Sequence, residues 1–218
     1  MIQVDALIIG AGPIGGYLAK KLCQAGHTVL MIEEHNQIGR PFQCAGLVNP
    51  GSMEKVGLKS TALTRIWGAR IHGPGGTLVE IGSPERTRTW SVCRKLFDEA
   101  VVAQAISAGG SLMLNSTPKG TSISDEYVVT TISTDNTELT VKSKVVLGCD
   151  GAHSWVRRYH RMGRVRETMI GFQIDVTGYL HKEGKLDMYT GQQIAPGFFA
   201  WAIPVSYTHL TLPTTSFV

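Results

Sequence analysis

Three glycines, Gly10, Gly12 and Gly15, follow the apolar run Ala6-Leu7-Ile8-Ile9 in GxGxxG spacing. Eighteen residues past Gly15, Glu33 closes a second apolar run, Val29-Leu30-Met31-Ile32. These residue types at this spacing can hold a dinucleotide. Gly10 permits a tight turn off the first strand, Gly12 lets the backbone approach a pyrophosphate, and Gly15 lets the following helix pack closely on the sheet. Pro13 falls just inside the helix start, where its missing N–H costs nothing and its fixed φ helps. Free N–H groups and the helix dipole then face the phosphates. The Glu33 carboxylate can accept hydrogen bonds from ribose hydroxyls. It favours an unphosphorylated ribose, as in NAD or the adenosine half of FAD, without choosing between them. A bare GxGxxG also occurs in glycine-rich surface turns; the strand, helix, second strand and acid around it carry the dinucleotide reading.

The elements that must position these residues are legible as patterns. Tyr17, Leu18 and Leu22 sit at helical spacing and are expected to face the sheet, with Gly26 as C-terminal cap. Residues 66–89 alternate and are rich in glycine, which predicts strands of a second sheet with turns at Pro74-Gly75-Gly76 and Ser83-Pro84. Residues 95–108 predict a helix stopped by Gly109-Gly110. Residues 111–114 predict the next parallel strand. Residues 127–132 and 139–141 predict a hairpin turning at Asp135-Asn136. The run Val145-Val146-Leu147 returns to the first sheet and delivers Asp150 to its edge. A carboxylate there can bind ribose or ribityl hydroxyls, or cap the next helix through backbone N–H groups.

The cofactor is singled out by four further stretches. Residues 33–47 read EEHNQIGRPFQCAGL, residues 148–158 read GCDGAHSWVRR, residues 92–98 read VCRKLFD, and residues 196–204 read PGFFAWAIP. With them the chain, over residues 4 to 204, resembles the geranylgeranyl reductase family, a branch of the hydroxylase-like flavoproteins. The resemblance implies an α/β, FAD-binding Rossmann-like domain interleaved with a β-rich substrate domain, truncated here. It implies FAD as cofactor, held by Gly10, Gly12, Pro13, Gly15, Glu33, Glu34, Arg40, Cys44, Ala45, Gly46, Leu47, Arg94, Pro118 and Asp150. Cys149 replaces the alanine usual in the GADGxxSxVRR signature. The last stretch is similar to PxxYxWxFP, which lines the family's substrate cavity, so Phe199 and Trp201 are the expected substrate contacts. Phe199 stands where the family has tyrosine and Ile203 where it has phenylalanine; the lost hydroxyl removes any hydrogen bond from that position. A wall of large apolar side chains is also what an isoprenoid chain needs, at roughly 0.8 kcal/mol per buried methylene. Without the resemblance, the same residues read as an aromatic core strand.

The expected activity is saturation of C=C bonds in geranylgeranyl chains of lipids or pigments. Cys44, on the loop the family places beside the isoalloxazine, is the candidate catalytic residue, with a small packing role as its alternative. NADPH or ferredoxin would supply electrons. A flavin monooxygenase or halogenase of the same fold is the rival enzyme, and an inactive FAD-binding fragment the rival of another kind.

Composition narrows the classes further. The chain has 218 residues, 43% hydrophobic, with a net charge of +4. No run of 18 apolar residues exists to span a membrane. The first strand starts almost at Met1, so no signal peptide is expected. Cys23, Cys44, Cys93 and Cys149 are scattered, which suggests free thiols in a reducing, cytoplasmic setting. Neither they nor the seven histidines show metal-ligand spacing. The basic run from Arg157 to Arg166 reads first as a solvated helix and loop, next as attraction to anionic head groups at a membrane surface, and least as a nucleic-acid contact. The expected domains are residues 1–65 with 90–160 for FAD and residues 66–89 with 161–205 for substrate. Residues 206–218 break the family pattern and resemble translated adapter read-through. They are expected to be a non-native tail, in which case the family's later GDAAG-type element is missing.

Overall fold

A computed structural model describes residues 1–41, 44–135 and 137–205, and the backbone of 214–217. The chain begins with β1 (Ile2–Ile9), α1 (Pro13–Gln24), β2 (Val29–Ile32), β3 (Leu47–Val48) and α2 (Pro50–Val56). Then come β4 (Ala62–Ile66), β5 (Gly68–His72), β6 (Leu78–Gly82), β7 (Thr89–Val92), α3 (Arg94–Ser107) and β8 (Ser111–Met113). The order continues with β9 (Thr117–Ile123), β10 (Val128–Ser133), β11 (Glu138–Gly148), α4 (Trp155–Tyr159), β12 (Ile174–Val176), β13 (Lys185–Thr190), β14 (Phe199–Val205) and β15 (Thr214–Phe217). These elements form two compact units, Met1–Phe42 with Lys95–Glu167, and Gln43–Arg94 with Thr168–Val218.

The first unit is built on a six-stranded sheet in the order β8-β2-β1-β11-β10-β9. β8, β2, β1 and β11 run parallel, while β10 and β9 add antiparallel strands. β1 is central and carries a continuous apolar run because both its faces are covered. On one face Ala6 and Ile8 pack with Ala19, Val102 and Ala105 of the two long helices; on the other Leu7 and Ile9 pack with Ile132, Val141 and Val156. α1 lies close because its contact face is small. Gly15, Gly16 and Ala19 are its buried residues, and a Cβ on Gly16 would stand 3.0 Å from Val102. Leu18 and Leu22 flank that contact as expected. Tyr17 does not join the core: it is half-buried, with the Lys21 ammonium 5.6 Å from its ring centroid. Two hydrogen bonds end the helix. Gly26 N–H donates to Cys23 O, and His27 N–H to Leu22 O, with Gly26 at φ +86°. This is the Schellman pattern, for which a glycine is the low-cost residue.

The expected hairpin strand and the expected return strand are one element. β11 runs unbroken for eleven residues, pairing antiparallel with β10 through its first half and parallel with β1 along Ile2↔Val141 to Ile9↔Gly148. β9 was not expected, because its sequence TPKGTSI lacks a clear apolar alternation. Asn136, of the expected hairpin turn, lies outside the described residues.

The second unit holds two sheets, β12-β15-β14-β13-β5-β6 and β3-β7-β4. β3 pairs with β7 through Leu47↔Ser91 and Val48↔Trp90. That pairing draws residues 43–65 and 90–94 into the second unit, although the sequence pattern grouped them with the cofactor elements; residues 161–167 stay with the first. α2 was also unexpected, yet its signals are in the chain: Asn49 caps Ser52 N–H, Pro50 stands at the first position, and Gly57 ends it at φ +69°. The six-stranded sheet has two distinct faces. One carries Arg70, His72, Asp187 and Tyr189. Asp187 is 1% exposed and takes Arg70 Nη2 at 2.7 Å and His72 Nε2 at 2.6 Å, while Tyr189 stacks on His72 and shares a hydrogen bond with Tyr179. Burial alone would raise the Asp187 pKa, but hydrogen bonds from Arg70, His72 and Tyr179 outweigh it and hold the carboxyl below its ordinary value. The alternate residues of β14, Phe199, Trp201 and Ile203, point to the opposite face. The expected foreign tail enters this sheet only as β15, paired to β12 and β14; residues 206–213 and 218 of it lie outside the described residues. Among the described residues, no helix is long and apolar enough to cross a membrane.

Candidate functional site

The glycine loop joins β1 to α1 at the carboxyl edge of the parallel strands, where open α/β sheets take ligands. Gly10 has φ +94°, and a Cβ there would stand 2.5 Å from Cys149 O and 2.9 Å from Asp150 Cα. The first turn is therefore pressed against the end of β11, where Cys149 N–H donates to Ile9 O at 2.7 Å, and it is tied to the end of β2 by Gly10 N–H donating to Ile32 O at 2.8 Å. A Cβ on Gly15 would fall 2.0 Å from Gly10 O, so the helix start is locked onto the turn itself. Gly12 differs. A Cβ there would meet nothing within 4 Å among the described residues. The space before the N-terminus of α1 is open, and the first-turn N–H groups have no partners within the helix. A bare backbone beside open space and unpaired donors fits a pyrophosphate.

Glu33 stands at the end of β2 and turns its carboxylate to this loop. Oε2 accepts from Ala11 N–H at 3.0 Å. Oε1 lies 2.6 Å from His35 Nδ1 and accepts His35 N–H at 3.2 Å. The strand end is pinned by Glu33 N–H to Met113 O and Ser116 N–H to Glu33 O. Pro118 follows two residues after that second anchor, at the register shift in β9. Glu34 and Arg40 are exposed on the same unit.

Asp150 caps a helix, one of the two roles its position allowed: Oδ2 accepts Val156 N–H at 3.1 Å, and Ser154 Oγ accepts Arg157 N–H at 3.0 Å. Burial, with the Asp150 carboxylate beside it, pushes the Cys149 thiol pKa up, so this thiol stays protonated and unreactive. In the basic run, Arg157 and Arg158 fold back on the carbonyls of Gly163 and Ser154, and residues 161–166 are exposed.

The other expected site residues belong to the second unit. Cys44 is exposed, so it does not fill a packing role. Ala45 is half-buried, and Gly46 is buried at φ +81°, where a Cβ would stand 2.3 Å from Val92 O. That close approach holds the loop against the end of β7, with Gly46 O accepting Val92 N–H at 2.8 Å. Leu47 is exposed at the start of β3. Arg94 opens α3, its Cγ 3.6 Å from where a Gly46 Cβ would stand. Phe199 and Trp201 are half-buried with ring centroids 5.6 Å apart, and Phe198 stacks on Phe199 at 4.3 Å. One apolar cluster joins Ala45, Leu63, Ile66, Leu186, Trp201 and Ile203. The loop and the aromatic strand, which the resemblance named from stretches 150 residues apart, thus meet in one core. Trp201 Nε1 is buried in it with no hydrogen-bond partner among the described residues.

Sequence reasoning missed His35 and Ala11 N–H as partners of Glu33. The Glu-x-His spacing carried that signal, since residues two apart after a strand end can meet around a bend.

Comparison with known proteins accords with this geometry. The family model described as "FAD binding domain" matches residues 3–198. Digeranylgeranylglycerophospholipid reductase of Methanosarcina acetivorans is 31% identical over 92% of this chain and 51% of its own length. Digeranylgeranylglycerophospholipid reductase 3 of Methanosphaera stadtmanae is 29% identical over 94% of this chain and 54% of its own. The chain spans about half the length of the curated relatives it matches. Among solved structures, a geranylgeranyl bacteriochlorophyll reductase-like protein from Thermoplasma acidophilum superposes over 99% of this chain and 56% of its own, with a TM-score of 0.82 and 23% identity. The myxobacterial halogenase CndH shares the fold at a TM-score of 0.76 and 16% identity, covering all of this chain and 52% of its own. The resemblance to geranylgeranyl reductases is borne out by these relatives. On the family match, which takes in elements of both units, the chain belongs to the FAD binding domain family.

Proposed function

We propose that the chain is part of an FAD-dependent reductase that saturates C=C bonds in geranylgeranyl chains of lipids or pigments. The observation that carries this reading is the shared core of Ala45 and Trp201, which puts the loop after the cofactor cradle against an aromatic, apolar strand. FAD, when bound, supplies the hydride. The chain's residues supply the rest. Gly12 and the first turn of α1 take the pyrophosphate, Glu33 takes ribose, and Arg94 contacts the cofactor. Phe199, Trp201 and Ile203 wall off water and accept the prenyl chain. Cys44 Sγ, exposed on its loop, is the group to hold or move a proton. Electrons come from NADPH or ferredoxin, and residues 157–166 favour contact with an anionic membrane surface.

The test is anaerobic turnover of the protein, reduced with dithionite, on a geranylgeranyl lipid, read by mass spectrometry. A product that gains hydrogen without oxygen supports the reductase; in air, an oxygenated or halogenated product would replace it with the monooxygenase or halogenase reading. Cys44→Ser is expected to lose about a hundredfold or more in turnover, in the range of a removed acid–base group. Unchanged turnover and product pattern would remove Cys44 from the chemistry.

A further inference from the structure

Glu33 has four acceptor positions, two on each carboxylate oxygen, and it is the residue offered to the ribose. Three of the four are taken by the protein. Ala11 N–H holds one on Oε2 at 3.0 Å. His35 N–H and His35 Nδ1 hold both on Oε1, at 3.2 Å and 2.6 Å. An ionised carboxylate only accepts, so in this pair the proton is carried by Nδ1. His35 Nε2 lies 3.9 Å from Glu34 Oε1, beyond hydrogen-bond distance. His35 is half-buried and Glu33 more so, with 14% of its side chain exposed, so bulk water does not compete freely for these positions. Among the described residues, nothing takes the remaining acceptor position, on Oε2, the oxygen that also accepts from Ala11 N–H.

We propose that His35 is a specificity-determining residue that restricts Glu33 to a single ribose hydroxyl. The inference rests on the reading of Glu33 as the ribose acid. By filling Oε1, His35 prevents the two-oxygen, two-hydroxyl grip that an unencumbered carboxylate would make on the diol. It also fixes the carboxylate plane, so that the free position on Oε2 stays beside the pyrophosphate cradle. Removing the imidazole leaves the residue-35 N–H in place and frees one position on Oε1, which the second hydroxyl can then use.

The experiment measures competition of ADP, 2′-deoxy-ADP and 3′-deoxy-ADP against FAD on the protein, by flavin fluorescence, for wild type and three variants. In wild type, one deoxy analogue is expected to bind about ten- to a hundredfold more weakly than ADP, the effect of one hydrogen bond to a charged acceptor, and the other within about twofold. In His35→Ala both deoxy analogues are expected to bind about ten- to a hundredfold more weakly than ADP. His35→Asn, which returns an N–H donor near the Nδ1 position, is expected to restore the single-hydroxyl pattern. General loosening of the site would weaken all three nucleotides together and could not produce this pattern. Equal discrimination against both analogues in wild type, or an unchanged pattern in His35→Ala, would overturn the inference. Glu33→Gln separates the two layers of the argument. If it alters no nucleotide's affinity, Glu33 is not the ribose acid and the site reading fails along with His35. If it weakens ADP while His35→Ala changes nothing, only the role of His35 fails.

Discussion

Gly12 and Gly15 are the same residue type three positions apart, but the space around them assigns them opposite jobs. A Cβ on Gly15 would overlap the Gly10 carbonyl at 2.0 Å, whereas one on Gly12 would meet nothing within 4 Å among the described residues. Gly15→Ala is therefore expected to cost roughly 3 kcal/mol of stability, at the upper end of overpacking effects, because the obstacle is backbone that cannot rotate away. Gly12→Ala, at φ −72°, strains nothing and is expected to cost only about 0.5 kcal/mol as an inferior helix cap. Its methyl would stand in the phosphate space, so flavin binding is expected to fall while the melting temperature holds. Thermal melts alongside flavin titration check both arms, and a Gly12→Ala protein that binds FAD normally would contradict the assignment of that space. The close approaches at Gly10 and Gly15 were legible because glycine spacing encodes them directly. The partners of Glu33 were not, since the His35 contact depends on the bend after β2 rather than on any periodicity.

Among the elements, β5 and β13 are held together by the Asp187 group. Asp187 is buried, its hydrogen bonds with Arg70, His72 and Tyr179 lower its pKa, and its folded-state value lies below the unfolded one near 3.9. A carboxylate lowered in this way contributes stability that is fully present above about pH 5 and is lost as the pH falls through its folded pKa. Asp187→Asn leaves the Arg70 guanidinium without its anion and is expected to cost about 3 kcal/mol at neutral pH. The difference between wild type and variant in urea melts should stay constant from about pH 8 to pH 5 and shrink below pH 4. A difference independent of pH down to pH 2 would show that the charge is not what holds the pair. No local pattern announced this group, because Arg70 and Asp187 are more than a hundred residues apart and meet only through the parallel register Asp187↔Arg70. The elements announced by local chemistry were legible: α1 through Pro13 and Gly26, and α3 through the Gly109-Gly110 stop, where Gly110 N–H bonds Ala105 O. β9 and the fusion of two expected strands into β11 escaped notice because a mixed sheet is set by tertiary pairing rather than by alternation.

For the molecule as a whole, the chain crosses between its two units near residues 42, 94 and 167, with no low-complexity tether at any of them. The interleaving was legible from the order of the motifs, but the crossing points were not, since they depend on Leu47 and Val48 pairing with β7. The central claim is that the loop around Gly12 holds FAD, and titration of FAD into the purified protein, followed by flavin absorbance with Gly12→Ala in parallel, tests it most directly. Saturable binding of FAD by wild type with a shifted flavin band, and loss of that binding in a normally folded Gly12→Ala protein, is the expected result. Absence of FAD binding in folded wild type, or equal binding by the two proteins, would contradict it.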